Sequence, residues 1–309
     1  TNVSRAASGL RTRSRSVVWV LVVFMWTMTA NRAALFPGKH FISTILDALE
    51  TKDHMSGRMG VRYLQRAGMA GIIIGLMYLV NFTVISVFAG IPVGTGNLGG
   101  VGKIVGALAF GWALVFIYYT KSELLTSNMM IVSIGMYHRR VTAARSARLL
   151  GMCFLGNVLG GLLVATLVKL STLADGAVLA SMDAAVAHKL DYITAGPGGW
   201  IDLLVRAILC NFMINLAMLL VYNGLIHDDL TKSLVMIMSV FIFAFLGFEH
   251  SVANTVLFTI MGFKHGIDVG AAALQVVICL VGNYIGGGWL IGLYFAHVND
   301  DRGFSDDAS

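Results

Sequence analysis

Glu249 and His250 stand side by side in FAFLGFEHSVAN, inside a stretch that is otherwise almost wholly apolar. Imidazole is the side chain whose unperturbed pKa lies near neutrality, so His250 can serve as a proton donor or hydrogen-bond donor to an anion. It can equally be a neutral histidine satisfying backbone groups, and the residues alone leave both readings open. A carboxylate at bilayer depth costs on the order of 3 kcal/mol unless it accepts hydrogen bonds locally. The amides freed where a helix is interrupted are the expected donors, which gives Glu249 a structural role. Neighbouring residues on a helix point apart and no second histidine lies within one turn, so the pair makes neither a metal site nor an acid–base couple. No nucleotide-binding loop is present, no cofactor is implied, and the chain is not expected to be an enzyme.

The same chemistry is written twice. Glu123, Asn128 and Gly156 with Asn157 recur as Glu249, Asn254 and Gly282 with Asn283, at one offset of 126 residues (249 minus 123, 283 minus 157). Gly160 and Gly161 recur likewise as Gly286 and Gly287. Several polar residues kept at one offset in apolar surroundings mark a duplicated module with a site in it. In the first copy, YYTKSELLTSN places Thr126 three residues after Glu123, where a hydroxyl can donate to an anion or cap a helix. Glu123 is expected to act as Glu249 does, and Asn128 and Asn254 as caps or struts across an interruption. Lys121 reads either as a snorkelling residue or as an anion contact.

The elements that must position these groups are membrane helices. With 57% hydrophobic and 12% charged residues, the 309-residue chain is a polytopic membrane protein. Runs long enough to cross a core of about 30 Å lie near 67 to 90, 102 to 136, 146 to 170, 201 to 222, 232 to 262 and 269 to 296. Six crossings are expected. The second and fifth runs are overlong and hold the Glu and Asn residues, so each is expected to be broken in mid-membrane, where irregular backbone must line a cavity or be buried. Three spans per copy invert the second copy relative to the first. The expected fold is therefore an all-α membrane protein of six helices in an inverted 3+3 repeat, with repeats at about 67–170 and 201–296 and a solute path at their interface.

Lys and Arg cluster between Arg5 and Arg66 and at Arg139, Arg140, Arg145 and Arg148, which predicts both termini cytoplasmic and a plasma-membrane location. Residues 1–66 form a cytoplasmic N-terminal region with a short apolar stretch, Val17 to Ala30, and 297–309 an acidic cytoplasmic tail. The net charge of +6 reflects this asymmetry rather than nucleic-acid binding. Cys153, Cys210 and Cys279 read as small packing residues. Lys189, in the acidic connection after the third span, raises local anion concentration if that loop folds into a mouth. Arg206 is expected to snorkel. Asn211 and Asn215, one turn apart, are expected to bind backbone across helices. Phe110, Leu114 and Phe243 are either ordinary core or an apolar constriction that excludes ions.

GFEHSVAN, ELLTSN, RAILCNFMIN and GNYIGGG, in order over roughly residues 40 to 297, resemble the formate/nitrite transporter family. The resemblance implies an aquaporin-like protomer in a homopentamer, passing small monovalent anions such as formate, nitrite, hydrosulfide or lactate, with the lipid bilayer and a proton as its other partners. It assigns the central histidine to His250, the loop threonine to Thr126, the vestibule lysine to Lys189 and pore-facing asparagines to Asn211 and Asn283. It also implies two constrictions, Leu114 with Phe110 on one side and Phe243 on the other. Lys121 and Asn215 depart from the family pattern. The implied mechanism gathers the anion at Lys189, hydrogen-bonds it at His250 and Thr126, and passes it as the neutral acid, with the proton drawn from water or imidazole. The alternative is an aquaporin-like neutral-solute channel, which is disfavoured because Pro37, Pro92 and Pro197 all lie away from the breaks.

Overall fold

Proline-free apolar runs fold as helices in the computed structural model, which describes residues 34–303. The stretch Val17 to Ala30 and the end of the acidic tail lie outside the described residues. The chain runs through α1 (Lys39–Arg58), α2 (Gly60–Ala89), a small hairpin of β1 (Pro92–Val93) and β2 (Gly96–Asn97), α3 (Gly99–Tyr119), α4 (Leu125–Tyr137), α5 (Ala143–Lys169) and α6 (Gly176–Thr194). It continues through α7 (Pro197–Tyr222), α8 (Asp229–Phe245), α9 (Ser251–Lys264) and α10 (Val269–Asn283), then π-helical turns at Tyr284–Leu293 and α11 (Tyr294–Val298). Thr142, Asp228 and Asp268 start α5, α8 and α10 by accepting hydrogen bonds from Arg145, Thr231 and Ala271 amides.

Among the described residues five helices are long and apolar enough to cross a membrane: α2, α3, α5, α7 and the continuous rod Val269–Val298. The runs at 102 to 136 and 232 to 262 each fold as two helices, α3 with α4 and α8 with α9, separated by non-helical residues at 120–124 and 246–250. Each first helix ends on a left-handed residue, Lys121 at φ +54° and Gly247 at φ +69°. These two positions are also 126 apart (247 minus 121). Glycine adopts this conformation freely, whereas a side chain there costs on the order of 1–2 kcal/mol.

Two segments outside the six expected spans, one in the N-terminal region and one in a connection, are helical. α1 packs Phe41, Ile45 and Leu49 into the core, and its Asp53 forms ion pairs with Arg145 and with Arg148 (2.9 Å). Its start is held by the chain's far end, where Asn299 Oδ1 accepts from the Gly38 amide at 2.6 Å and Asp301 pairs with Lys39. α6 carries Lys189, which the sequence reading put in a loop.

Glycines set the tightest packing, of α2 on α5 and of α7 on the last rod. A Cβ at Gly160 would lie 2.0 Å from the Gly68 carbonyl oxygen, and one at Gly286 would lie 2.0 Å from the Ile208 carbonyl oxygen. Gly156 against Ala67 and Gly282 against Ala207 make the same pair of approaches. The substitutions Gly160→Ala and Gly286→Ala are expected to force these helices apart and destabilise the protein by about 1–3 kcal/mol. The readout is the midpoint of thermal unfolding in detergent, and Gly151→Ala, where a Cβ meets nothing within 4 Å, should leave that midpoint unmoved.

Candidate functional site

Where a helix stops inside an apolar layer, its amides and carbonyls need partners. At the first interruption one side chain serves two of them and ties them to the neighbouring helix. Asn157 Nδ2 donates to the carbonyls of Ala67 and Glu123, both at 2.8 Å, while its Oδ1 accepts from the Leu125 amide at 3.1 Å. Asn283 repeats this at the second, donating to Ala207 (2.8 Å) and Glu249 (3.0 Å) and accepting from the Ser251 amide at 2.9 Å. The neighbouring helix helps, since the Arg66 and Arg206 carbonyls accept from the Glu123 and Glu249 amides. This corrects the expectation that the glutamate carboxylates would take up the freed amides. The asparagine carboxamides do so because each holds a donor and an acceptor in one plane, whereas a carboxylate only accepts.

The two carboxylates face cations instead. Glu123, 1% exposed, is paired with Lys52 of α1 and with Arg66 at 3.4 Å, and accepts from Asn128 at 3.2 Å. Glu249, 2% exposed, is paired with Lys189 at 2.7 Å and accepts from Asn254 at 2.6 Å and Gln275 at 3.2 Å. Asn128 and Asn254 thus reach back across the interruption to the glutamate five residues earlier. Burial pulls the Lys189 ammonium down while the charge and hydrogen bond of Glu249 push it up, and the balance lies above the usual lysine value. Lys189 therefore stays charged, but its charge is compensated by Glu249.

Arg66 and Arg206 bind the carbonyl ends of α3 and α8. Arg66 Nη2 donates to Lys121 O at 2.6 Å, and Arg206 Nη1 donates to Gly247 O at 3.1 Å. Arg206 also pairs with Asp202 at 2.9 Å, so its guanidinium is tied to the second interruption as well as to the surface where it was expected to snorkel. Lys52, Arg66 and Gln275 escaped the sequence reading. Arg66 had a signal: LQRA at 64–67 recurs as LVRA at 204–207, which marks the helix whose arginine reaches each interruption.

His250 sits at the start of α9 and caps it, its Nδ1 accepting from the Ala253 amide at 3.2 Å. Its Nε2 lies 3.2 Å from Thr126 Oγ1, joining the two interruptions. An Nδ1 that accepts carries no proton, so the ring proton is on Nε2 and donates to the Thr126 oxygen. His250 lines a cavity of about 20 Å3 with Phe110, Leu114, Ile117, Leu124 and Phe243 among its walls, and it is the single polar lining residue among those described.

Phe110 and Phe243 do not stand on opposite sides of this cavity, as the resemblance implied. Their rings meet edge to face at 6.2 Å, and Phe243 stacks at a tilt on His250 at 5.9 Å. Leu114, with Ile117 and Leu124, instead separates the cavity from a chamber of about 200 Å3 beside α1. Asn211 and Asn283 are not among the residues that line this small cavity. Asn211 donates to the Thr126 carbonyl at 3.1 Å and the Asn283 carbonyl at 2.6 Å, and Asn215 donates to the Thr126 carbonyl at 3.1 Å. Buried amides in an apolar setting bind main chain, and these hold the Thr126 turn in place. Among the described residues no cluster of His, Cys, Asp and Glu is arranged to hold a metal ion.

A family model described as formate/nitrite transporter matches residues 39–297. The chain is 30% identical over 188 residues to the formate channel FocA of Haemophilus influenzae, a match covering 60% of this chain and 61% of that protein. The chain thus spans about three fifths of that relative's length. Among solved structures, an FNT family ion channel superposes with a TM-score of 0.72 at 22% identity, covering 84% of this chain and 99% of the other. A pentameric formate channel with formate bound superposes with a TM-score of 0.62 at 21% identity, covering 78% and 98%. The helical fold described above is shared with both.

The buried pair of Lys189 and Glu249 makes a direct prediction. Glu249→Gln keeps the shape of the carboxylate but strands a buried ammonium, and it is expected to cost about 3–5 kcal/mol. Combining it with Lys189→Met should recover most of that loss. Chemical denaturation of the single and double variants supplies the comparison, and a double variant as unstable as Glu249→Gln would show that the charge pair is not the cause.

Proposed function

Because the chain belongs to the formate/nitrite transporter family, we propose that it is a passive or proton-coupled channel for small monovalent anions of the formate, nitrite, hydrosulfide or lactate class. One observation carries this reading: a single imidazole, its Nε2–H bonded to Thr126 of the other half, is the one polar side chain described on the wall of an otherwise apolar cavity. A bare anion in such a place loses its hydration, whereas the protonated acid loses far less. His250 and Thr126 offer the hydrogen bonds that hold the solute while it is dehydrated. The cavity has room for about one water molecule, so passage of an anion requires Leu114 or Phe243 to rotate.

The proton comes from water in this mechanism. For imidazole to give one up it must first carry two, and the second would sit on Nδ1 against the Ala253 N–H that Nδ1 now accepts. Lys189 lies at the α6 end of the path as the vestibule lysine, with Glu249 limiting its pull on distant anions. Asn211 and Asn283 act on the path by fixing the main chain around Thr126 and Ser251.

The matching contacts of the two halves, Gly160 on Gly68 and Gly286 on Ile208, support a 3+3 inverted repeat across residues 67–296. In that reading α3 with α4 and α8 with α9 are the broken second and fifth spans, each completed by its half-helix. The basic clustering supports cytoplasmic termini in a plasma membrane, and the pentameric solved relative supports a homopentamer with one path per subunit.

His250→Asn tests the proton assignment, because an amide can still cap α9 and donate to the path. Formate uptake by vesicles is expected to keep its dependence on acidity across about pH 5 to 8. A flattened profile would move the proton onto the imidazole.

A further inference from the structure

The 19 residues of α6 bury three side chains, Met182, Val186 and Tyr192. A helix packed so lightly depends on polar ties for its position. Among the described residues three contacts between ionisable groups tie it to its neighbours. Asp175, just before its first residue, meets Lys264 at 2.7 Å, Asp183 meets His265 at 2.7 Å, and Lys189 meets Glu249 at 2.7 Å. The first two reach the turn between α9 and α10, and the third reaches the second interruption.

The middle contact differs from the other two, because histidine is the side chain whose charge changes between about pH 5 and 8. Both nitrogens of His265 face acceptors: Nε2 lies 2.7 Å from the Asp183 carboxylate, and Nδ1 lies 3.0 Å from the Gly266 carbonyl oxygen. A neutral imidazole has one N–H and serves one of these oxygens, leaving the lone pair of its other nitrogen against an acceptor. The imidazolium donates to both, so this arrangement is that of the protonated ring. Acid therefore makes the contact and alkali breaks it. The other charged groups around the turn are already engaged. Lys169 of α5 donates to the Lys264 carbonyl at 2.9 Å, Lys264 of α9 pairs with Asp175, and Asp268 caps α10 by accepting from the Ala271 amide at 2.9 Å.

We propose that His265 and Asp183 form an acid-operated latch that fixes α6, and Lys189 with it, against the turn between α9 and α10. Asp183 and Lys189 are six residues apart on one helix (189 minus 183), about 9 Å along its axis, so release at the first reaches the second. The latch itself concerns the placement of α6, and only its effect on uptake rests on the anion-channel reading. Under that reading, acid at the α6 end both raises the share of neutral solute and holds the vestibule lysine in place.

A nitroxide attached at Ala184→Cys reports the latch in the full chain in proteoliposomes. Ala184 is exposed on α6 and the three native cysteines are buried, so the label enters at one place. Its motion is expected to be restricted at about pH 5 and free at about pH 8, whereas His265→Gln and Asp183→Asn should each leave it free throughout. His188→Gln is the control: His188 is also on α6 but its Nε2 lies 3.2 Å from the Tyr192 hydroxyl, and the variant should keep the wild-type profile. In the same vesicles the ratio of formate uptake at acid to that at alkaline pH should fall about threefold in His265→Gln, the scale of a half-exposed ion pair. Label motion that ignores pH in the unsubstituted chain, a profile that survives both latch substitutions or is lost in His188→Gln, or an unmoved uptake ratio would overturn the latch. Vesicles that take up formate no faster than empty ones would instead end the channel reading, and the label alone would then decide the latch.

Discussion

An interrupted helix in apolar surroundings must find partners for the backbone groups it frees, and in this protein one carboxamide at each interruption meets that demand. Asn157 and Asn283 each join three stretches of main chain: a carbonyl inside a neighbouring helix, the glutamate carbonyl within the interruption and the first amide after it. A buried backbone group without a partner costs about 1–3 kcal/mol, so losing either carboxamide would remove support from two groups of the interruption together. With the backbone held this way, the glutamates are free to bind cations, and His250 and Thr126 are free to face one another. The site is a consequence of how the interruptions are sealed.

The two halves use the same frame and differ in what they place on it. Glu123 meets two cations, Lys52 and Arg66, whereas Glu249 meets one cation and two neutral amides. The left-handed position is lysine in one half and glycine in the other. Imidazole occurs at the second interruption, and the hydroxyl of Thr126 answers it from the first. Backbone support is thus symmetric between the halves, while charge is not.

Packing couples the site to distant parts of the chain. α1 supplies Lys52 to Glu123, and α1 is in turn held by Asp53 against Arg145 and Arg148 and by Asn299 and Asp301 near the chain's end. The glycines of α5 and of the last rod let helix backbones touch, which brings Asn157 and Asn283 within reach of the interruptions they seal. Larger side chains there would hold the carboxamides away from their carbonyls.

Sequence alone determined the apolar spans, the paired glutamates and asparagines at one offset, and the isolated imidazole, because hydropathy and a repeated polar pattern are local properties that survive without coordinates. The arginine pair of LQRA and LVRA was equally legible but carries a different offset, 140 residues (206 minus 66), and so fell outside a search at one spacing. Tertiary structure decided which partner each polar group takes. That Glu123 binds Lys52 across 71 residues of chain, that Asn211 holds the Thr126 turn, and that Phe110 meets Phe243 all depend on contacts between remote segments.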